Sequence, residues 1–444
     1  MSTLVRTLRR VDLWFGLFVV SIVASLPTNF HFTLFGGLVN IRPWELVILA
    51  VLVVVVTSYG EARWHFNDVV AWALLVTVGT ILIRSMVRLL TEAEPHFRIL
   101  TDWTGAPAWE GATKTRGIVS SLLLGAYVLI AIVAAGLAKH RTLGVRIVDR
   151  ASTILMWSVG IYALVFILLL IGSIALYGTD AANWPIIVRG IDVGHFRTRT
   201  AVAFYGPLDG MTFAAGAVLA GARARAVAKA RPLTLAATAI QVLAATLTFS
   251  RGAWLALLVG LAASLLLWAR VKPRLIALAL TAVTVLGVLA IGVMATIHSR
   301  DASISSRLFS LFGSTSGARV GDWARMFEAF LRAPAFGYGA EAYRPMTYGY
   351  PAENFWLEVA VSGGLLALVP MIFAHARILQ LFWAAQRSAA GDTEVWLLPL
   401  FLAFVVYITG TFTNQVGWSP VYWLVLGLTL GSLRRVLSQA SRAV

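Results

Sequence analysis

The sequence predicts an all-α polytopic membrane protein with about twelve transmembrane helices and a large polar loop between spans nine and ten. Three observations carry this. The chain is 59% hydrophobic over 444 residues, with a mean hydropathy of +0.82, too apolar for a soluble domain. Apolar runs of about 18 or more residues recur, each long enough to cross hydrocarbon as a helix. Alternating segments of roughly ten residues, the mark of a membrane barrel, do not occur in the sequence. A single integral membrane domain can occupy all of 1–444.

The candidate spans are 11–27, 44–59, 69–88, 117–138, 152–177, 201–222, 233–249, 252–269, 275–297, 355–376, 394–412 and 420–437. The first follows Arg6, Arg9 and Arg10 and so resembles a signal peptide. It lacks a small-residue cleavage site, and a retained first helix is expected. Alternating the spans from an inside N-terminus puts basic loops inside. These are 139–150 with Lys139, Arg141, Arg146 and Arg150, 223–231 with Arg223, Arg225, Lys229 and Arg231, 270–274, 377–387, and a tail with Arg434, Arg435 and Arg442. That is the positive-inside pattern, with both termini cytoplasmic. The exception is 61–68, where Arg63 faces Glu61 and Asp68. Three polar segments then face outside: 91–116, 178–200 and 298–354.

The net charge of +16 does not point to nucleic acid, because the basic residues sit in short loops between apolar runs. Lysine is rare (Lys114, Lys139, Lys229, Lys272). The charge is almost all arginine, whose planar fork suits phosphate, although a codon bias explains the same composition. The chain has no cysteine, which excludes disulfides and thiol catalysis. Its histidines are scattered without ligand spacing, so no metal is expected. No Gly-rich ATP-binding motif is present, and no cofactor is expected.

The run 233–269 is broken only by Ser250-Arg251, and both its flanks are basic and inside. A single helix cannot start and end on one side. The run is therefore a hairpin with Arg251 at its outer tip. Each arm of about 17 residues barely spans about 30 Å, so Arg251 is expected at or just below the surface. A charge there serves a function or finds a partner, or it snorkels and caps a short hairpin. A second cluster, His195-Phe196-Arg197-Thr198-Arg199, leads into Phe204-Tyr205-Gly206-Pro207-Leu208-Asp209-Gly210. Gly and Pro here suggest an irregular helix entry. Asp209 in an apolar stretch calls for a partner, with Arg199 and Arg251 as candidates. Structural pairing and substrate contact both remain open.

The polar segment 298–354 carries Arg300, Arg307, Arg319, Arg325, Arg332 and Arg344 with Asp301, Asp322, Glu328, Glu341 and Glu353. Connections beyond about 15 residues are usually functional or disordered, and this one is not of low complexity. Within 319–332, Trp323, Met326, Phe327, Phe330 and Leu331 form a helical stripe that Pro334 stops. Gly337-Tyr338-Gly339 turns the chain, which returns to the membrane at Asn354. The helix is expected on or near the outer bilayer face. A plain interfacial anchor has the same amphipathic pattern.

Arg197, Arg199, Arg251 and the segment from Arg319 to Glu353 thus share the outer side. Converging arginines suit a polyanion at the membrane surface, and a lipid-linked pyrophosphate is the natural candidate. The arginines would clamp the phosphates and stabilise charge on the leaving group. Glu353 would serve as general base on an incoming hydroxyl.

Several motifs resemble the bacterial O-antigen ligase and polymerase superfamily. Thr248-Phe249-Ser250-Arg251-Gly252-Ala253-Trp254-Leu255 looks like its S-R-G-A-W-L signature. Arg319 with Trp323 is similar to the R-x-x-x-W that opens the loop helix. Ala333-Pro334-Ala335-Phe336-Gly337-Tyr338-Gly339 resembles its P-x-x-G-x-G segment. Glu353-Asn354-Phe355-Trp356-Leu357-Glu358 with Ser362-Gly363-Gly364-Leu365-Leu366 resembles its re-entry motif. The stretch 197–210 is similar to an arginine-rich approach to the central span, with Leu208 and Asp209 where Asn is expected. The resemblance covers about 195–370.

It implies a GT-C-like membrane fold and a metal-independent, inverting transferase. The glycan donor is undecaprenyl pyrophosphate, on the periplasmic face of the cytoplasmic membrane. Polymerases pass the glycan to a lipid-linked repeat unit, and ligases to the lipid A–core saccharide. In ligases the residue before Asn is a histidine; here it is Glu353, and polymerases vary more at this place. Glu353 and Asn354 are then the expected catalytic residues. Arg251, Arg319, Arg199 and Arg197 would bind pyrophosphate, with Asp209, Ser250, Trp323 and Arg344 in support. The competing class is a polysaccharide or lipid transporter, which would show internal repeats with paired broken helices; no clear repeat relates the two halves.

Overall fold

The computed structural model describes residues 15–17, 19–20, 32–34, 39–41, 68–91, 109–140, 143–177, 206–226, 231–248, 250–267, 315–344, 353–387, 396–413 and 416–443. The candidate spans 44–59 and 275–297 lie outside these residues, as does most of 11–27. Helix dominates. The described residues are helical, as expected, beside a short antiparallel pair, β1 (Phe32–Leu34) and β2 (Val39–Ile41).

The helices are α1 (Val69–Thr91), α2 (Trp109–Lys139), α3 (Leu143–Tyr177), α4 (Gly206–Ala226), α5 (Arg231–Leu247) and α6 (Arg251–Leu267). After them come α7 (Thr315–Arg332), α8 (Phe355–Gln386), α9 (Leu397–Thr411), a 3-10 turn at Val416–Trp418, and α10 (Pro420–Ala443). Four apolar stretches are long enough to cross a membrane: Val69–Thr91, Gly117–Lys139, Gly144–Ser173 and Phe355–Gln386. Arg231–Leu247, Gly252–Leu265 and Leu397–Thr411 are shorter apolar helices. Many of their large side chains, such as Leu90, Ile161, Leu176 and Val369, are exposed, as lipid-facing positions are.

Two sub-bundles form. On one side α1 packs on α2 and α8, and α2 packs along α10. On the other α4 packs on α5, α6 and α9, with α3 against α4 and α5. Helices α9 and α10 join the two. The sequence of α4 explains its crowded position: it is rich in Gly and Ala, which let neighbouring backbones approach. Gly210 shows how close they come. A Cβ there would lie 2.6 Å from Thr248 Oγ1 and 2.7 Å from Ala253 Cβ.

Polar caps fix the helix ends. Asp68 Oδ1 accepts from Val70 N at 2.9 Å to start α1, and the same carboxylate takes Arg434 of α10 through Nε at 2.9 Å. At this end of the bundle Asp149 of α3 pairs with Arg223 of α4, whose guanidinium lies 3.9 Å from the Trp396 ring centroid, and Trp396 Nε1 also donates to Asp149. Three of the basic segments expected inside, around Asp149, Arg223 and Arg434, therefore lie at one end. The start of α4, the α5–α6 tip, the end of α9 and the entry of α8 meet at the other.

Candidate functional site

The α5–α6 hairpin forms as the charge argument required. Thr248 ends the first arm, its hydroxyl bonding Ala245 O at 2.7 Å. Ser250 caps α6: its Oγ accepts from Ala253 N at 3.3 Å and its carbonyl accepts from Trp254 N at 3.0 Å. Trp254 Nε1 donates back to Thr246 O at 3.1 Å and ties the arms together. Arg251 is the first residue of α6. Ser250 and Trp254 of S-R-G-A-W thus have local structural roles at the turn, and Ala253 is buried there.

Beside this tip stands Asp209, fully buried in the first turn of α4. Its Oδ1 accepts from Tyr162 Oη of α3 at 2.7 Å. The expected partners were Arg199 or Arg251; Arg199, like Arg197, lies outside the described residues. Tyr162 escaped sequence reasoning because it sits mid-span with no local signal. The irregular entry expected around Gly206-Pro207 is, from Gly206 on, ordinary helix. Proline is tolerated in a first turn, whose N–H groups have no helical acceptor.

The loop helix α7 begins at Thr315, four residues before Arg319, so the R-x-x-x-W motif lies within the helix rather than opening it. Its expected single stripe divides in two. Met326 and Ala329 are buried against Tyr343 and Val361, with Phe330 packed alongside. Phe327 and Leu331 face outward. Trp323 is half-buried.

The segment 333–339 and the re-entry helix complete one another. Helix α8 is broken at Gly364 (φ 62, ψ −158), a conformation nearly closed to other residues. The break separates Leu365 and Leu366 from the carbonyls of Val361 and Ser362, their regular partners one turn back. The loop supplies replacements. Leu365 N donates to Pro334 O at 2.7 Å and Leu366 N to Ala335 O at 3.2 Å. In return Val361 O accepts from Tyr338 N, and Ser362 O from Gly339 N, both at 2.8 Å. The backbones are so close that a Cβ on Gly364 would lie 2.4 Å from Ala335 C, and one on Gly337 2.5 Å from Val361 O. Non-helical backbone at membrane depth needs its polar groups satisfied by protein, and P-x-x-G-x-G does that here. The candidate span 355–376 is thus kinked at Gly364, and α8 continues beyond it to Gln386.

The returning loop carries a buried polar cluster. Glu341 takes Arg344 as an ion pair and accepts from Ser120 Oγ of α2 at 2.9 Å. Arg344, expected to support a substrate site, is thus already engaged. Burial works against its charge, yet the neighbouring Tyr343, Glu341 and Glu358 hold its pKa above the usual guanidinium value. Glu358, one turn into α8, is buried and accepts from Trp418 Nε1 at 3.1 Å on both oxygens. Ser121, Ala340, Phe355, Glu358, Ser362 and Trp418 line a small cavity. Glu341 and Glu358 are legible singly in the sequence, but their cluster with Trp418 and Ser120 is not, because the four are far apart in it.

Asn354 is the N-cap of α8, its Oδ1 accepting from Leu357 N at 3.1 Å. Glu353, half-buried just before it, has a φ of 50°, and Glu341 has a φ of 62°; they are the non-glycine residues with positive φ among the described residues. Such backbone costs of order 1–3 kcal/mol and collects at functional sites. The α8 entry and the hairpin tip share one end of the bundle. Trp356 Nε1 donates to Thr411 Oγ1 at 2.8 Å, and a Cβ on the neighbouring Gly410 would lie 2.8 Å from Met211 Sδ, two residues from Asp209.

Residues 236–372 match the family model described as O-Antigen ligase. The matched stretch is similar to that family and carries most of the motifs that resemble the O-antigen ligase/polymerase superfamily. Arg251, Arg319, Glu353, Asn354 and the whole interlock of 333–339 with α8 fall within the O-antigen ligase stretch. Asp209, Arg197 and Arg199 precede it. No curated protein matches the chain.

Proposed function

We propose that the protein transfers a glycan from undecaprenyl pyrophosphate to a saccharide acceptor on the periplasmic face of the bacterial cytoplasmic membrane, with inversion and without a metal. The observation that carries this reading is the interlock. A polar loop inside a membrane protein is held by four backbone hydrogen bonds to a broken helix, and Glu353 stands at that helix's entry. Backbone strain and paired glycines are maintained where position matters.

In the proposed reaction an acceptor hydroxyl attacks the anomeric carbon of the donor sugar. The bond from that carbon to the pyrophosphate oxygen breaks, and undecaprenyl pyrophosphate departs with the bonding electrons. Glu353 takes the hydroxyl proton. Arg251, Arg319, Arg197 and Arg199 are assigned to the pyrophosphate, whose charge grows as the bond breaks. Asn354 keeps the α8 entry, and with it Glu353, in place through its cap. Ser250 does the same for Arg251, and Asp209, Trp323 and Arg344 support the surrounding packing.

Polymerisation of an exported polysaccharide is the favoured form, because Glu353 stands where ligases carry histidine. Ligation of O-antigen to lipid A–core is the second reading, favoured by the description of the matching family. Complementation tests the assignment. Arg251→Lys, Arg319→Ala and Glu353→Gln should each reduce surface glycan while the protein still reaches the membrane. Normal amount and chain length in Glu353→Ala would remove the general-base role. In cells lacking the protein, single repeat units on the carrier indicate a polymerase and long chains a ligase.

A further inference from the structure

The outer rim of the α1–α8 side carries cationic groups that the proposed reaction does not use. Arg84 of α1 donates through Nε to Gly337 O at 2.9 Å. Gly337 N bonds Ala333 O at 3.0 Å, so the turn folds back onto the end of α7, where Arg332 stands. Arg332 pairs with Glu328 in an exposed i,i+4 contact, a weak interaction that a stronger anion can replace. Both guanidinium charges act on the Tyr338 hydroxyl; burial raises the pKa of this phenol, and Arg332 and Arg84 pull against that rise. Arg84 on its bonded carbonyl, Arg332 at the end of α7 and Tyr338 next to Gly337 therefore gather around one turn.

Apolar surface adjoins them. Phe336 is 61% exposed, and Leu365 and Leu366, at 45% and 46%, follow the Gly364 break that the same turn binds. Ile83, next to Arg84, is 63% exposed. Leu365 and Leu366 belong to a helix long and apolar enough to cross a membrane. The exposed strip thus continues a lipid-facing flank up to a basic rim. Cations above an apolar strip match a phospholipid, whose phosphate sits at the interface and whose chains lie below. The position also separates this rim from Arg251, one of the arginines assigned to the donor. Arg251 opens α6, which packs on α4 and α9, whereas Arg84 belongs to α1, which packs on α2 and α8.

We propose that Arg84, Arg332 and Tyr338 bind the phosphate of a bilayer phospholipid, with its acyl chains over Phe336, Leu365 and Leu366. The bound lipid seats the end of α7 and the Gly337 turn on the leaflet, and so steadies the segment that completes α8. This site is independent of the glycosyl-transfer reading, and binding rather than turnover reports on it.

The test uses the full-length protein in neutral detergent micelles, titrated with phosphatidylglycerol, diacylglycerol or a polyprenyl phosphate, with bound lipid counted by native mass spectrometry. Arg332→Gln, at an exposed ion pair, should lower phosphatidylglycerol affinity about tenfold, the worth of one charge-assisted contact. Arg84→Gln should do the same and Arg84→Lys partly restore it. Diacylglycerol, lacking the phosphate, should bind all variants alike. Unchanged phosphatidylglycerol binding in the Arg84→Gln/Arg332→Gln double variant, with an unchanged melting temperature, overturns the proposal. Arginine-dependent binding of polyprenyl phosphate without that of phosphatidylglycerol also overturns it, because the rim would then belong to the donor.

Discussion

Gly364 is the residue on which the interlock of 333–339 with α8 depends. Its φ of 62° and ψ of −158° suit glycine, and its missing Cβ leaves room for the Ala335 carbonyl. Gly364→Ala should therefore cost at least about 1–3 kcal/mol in backbone strain, before any clash is counted. A lower melting temperature in detergent and lost surface glycan are the expected outcomes; wild-type melting would contradict the interlock. Glu353 differs in kind. Its positive φ is also strained, but a side chain is present, so the strain is retained together with a carboxylate. Glu353→Gly should keep or raise stability while lowering glycan output, a split that a purely structural residue would not show.

Elements were legible in the sequence where charge or capping chemistry marked them. The α5–α6 hairpin followed from two basic flanks and one interruption, and the chain turns at that interruption. Ser250→Ala should cost about 1 kcal/mol, the usual worth of a side-chain cap, measured by thermal melting of the purified protein. The re-entry at Asn354 was legible for the same reason. The break in α8 was not, because Gly363-Gly364 in an apolar run reads equally well as close helix packing. Only the partner segment 333–339, some 25 residues earlier, makes a break affordable. The two faces of α7 were half legible: periodicity found the apolar residues but could not tell Met326, packed on Val361, from Phe327, which faces out. Tyr162 carries no motif, and the partners of Tyr162, Glu341 and Glu358 became visible only when folding brought them beside Asp209, Arg344 and Trp418.

At the scale of the whole molecule, the charge pattern and the packing agree on which helix ends lie together. Asp149, Arg223 and Trp396 meet at one end; Asp209, the Ser250 tip, Thr411 and Trp356 gather at the other. The native chain has no cysteine, so single introduced cysteines report side without background. Glu328→Cys on α7 should react with a membrane-impermeant maleimide in cells with a permeable outer envelope. Arg225→Cys, exposed at the opposite end, should react only after the cytoplasmic membrane is opened. The reverse pattern would invert the topology, and the proposed periplasmic site with it.

The central claim is that the protein consumes a lipid-linked glycan. Its most direct test is the polyprenyl-pyrophosphate fraction of cells lacking the protein, compared with cells carrying wild type or Glu353→Ala. Unconsumed glycan should build up on the carrier in the deletion and in Glu353→Ala, and return to the normal level with wild type. A carrier fraction of unchanged composition in the deletion would contradict the account.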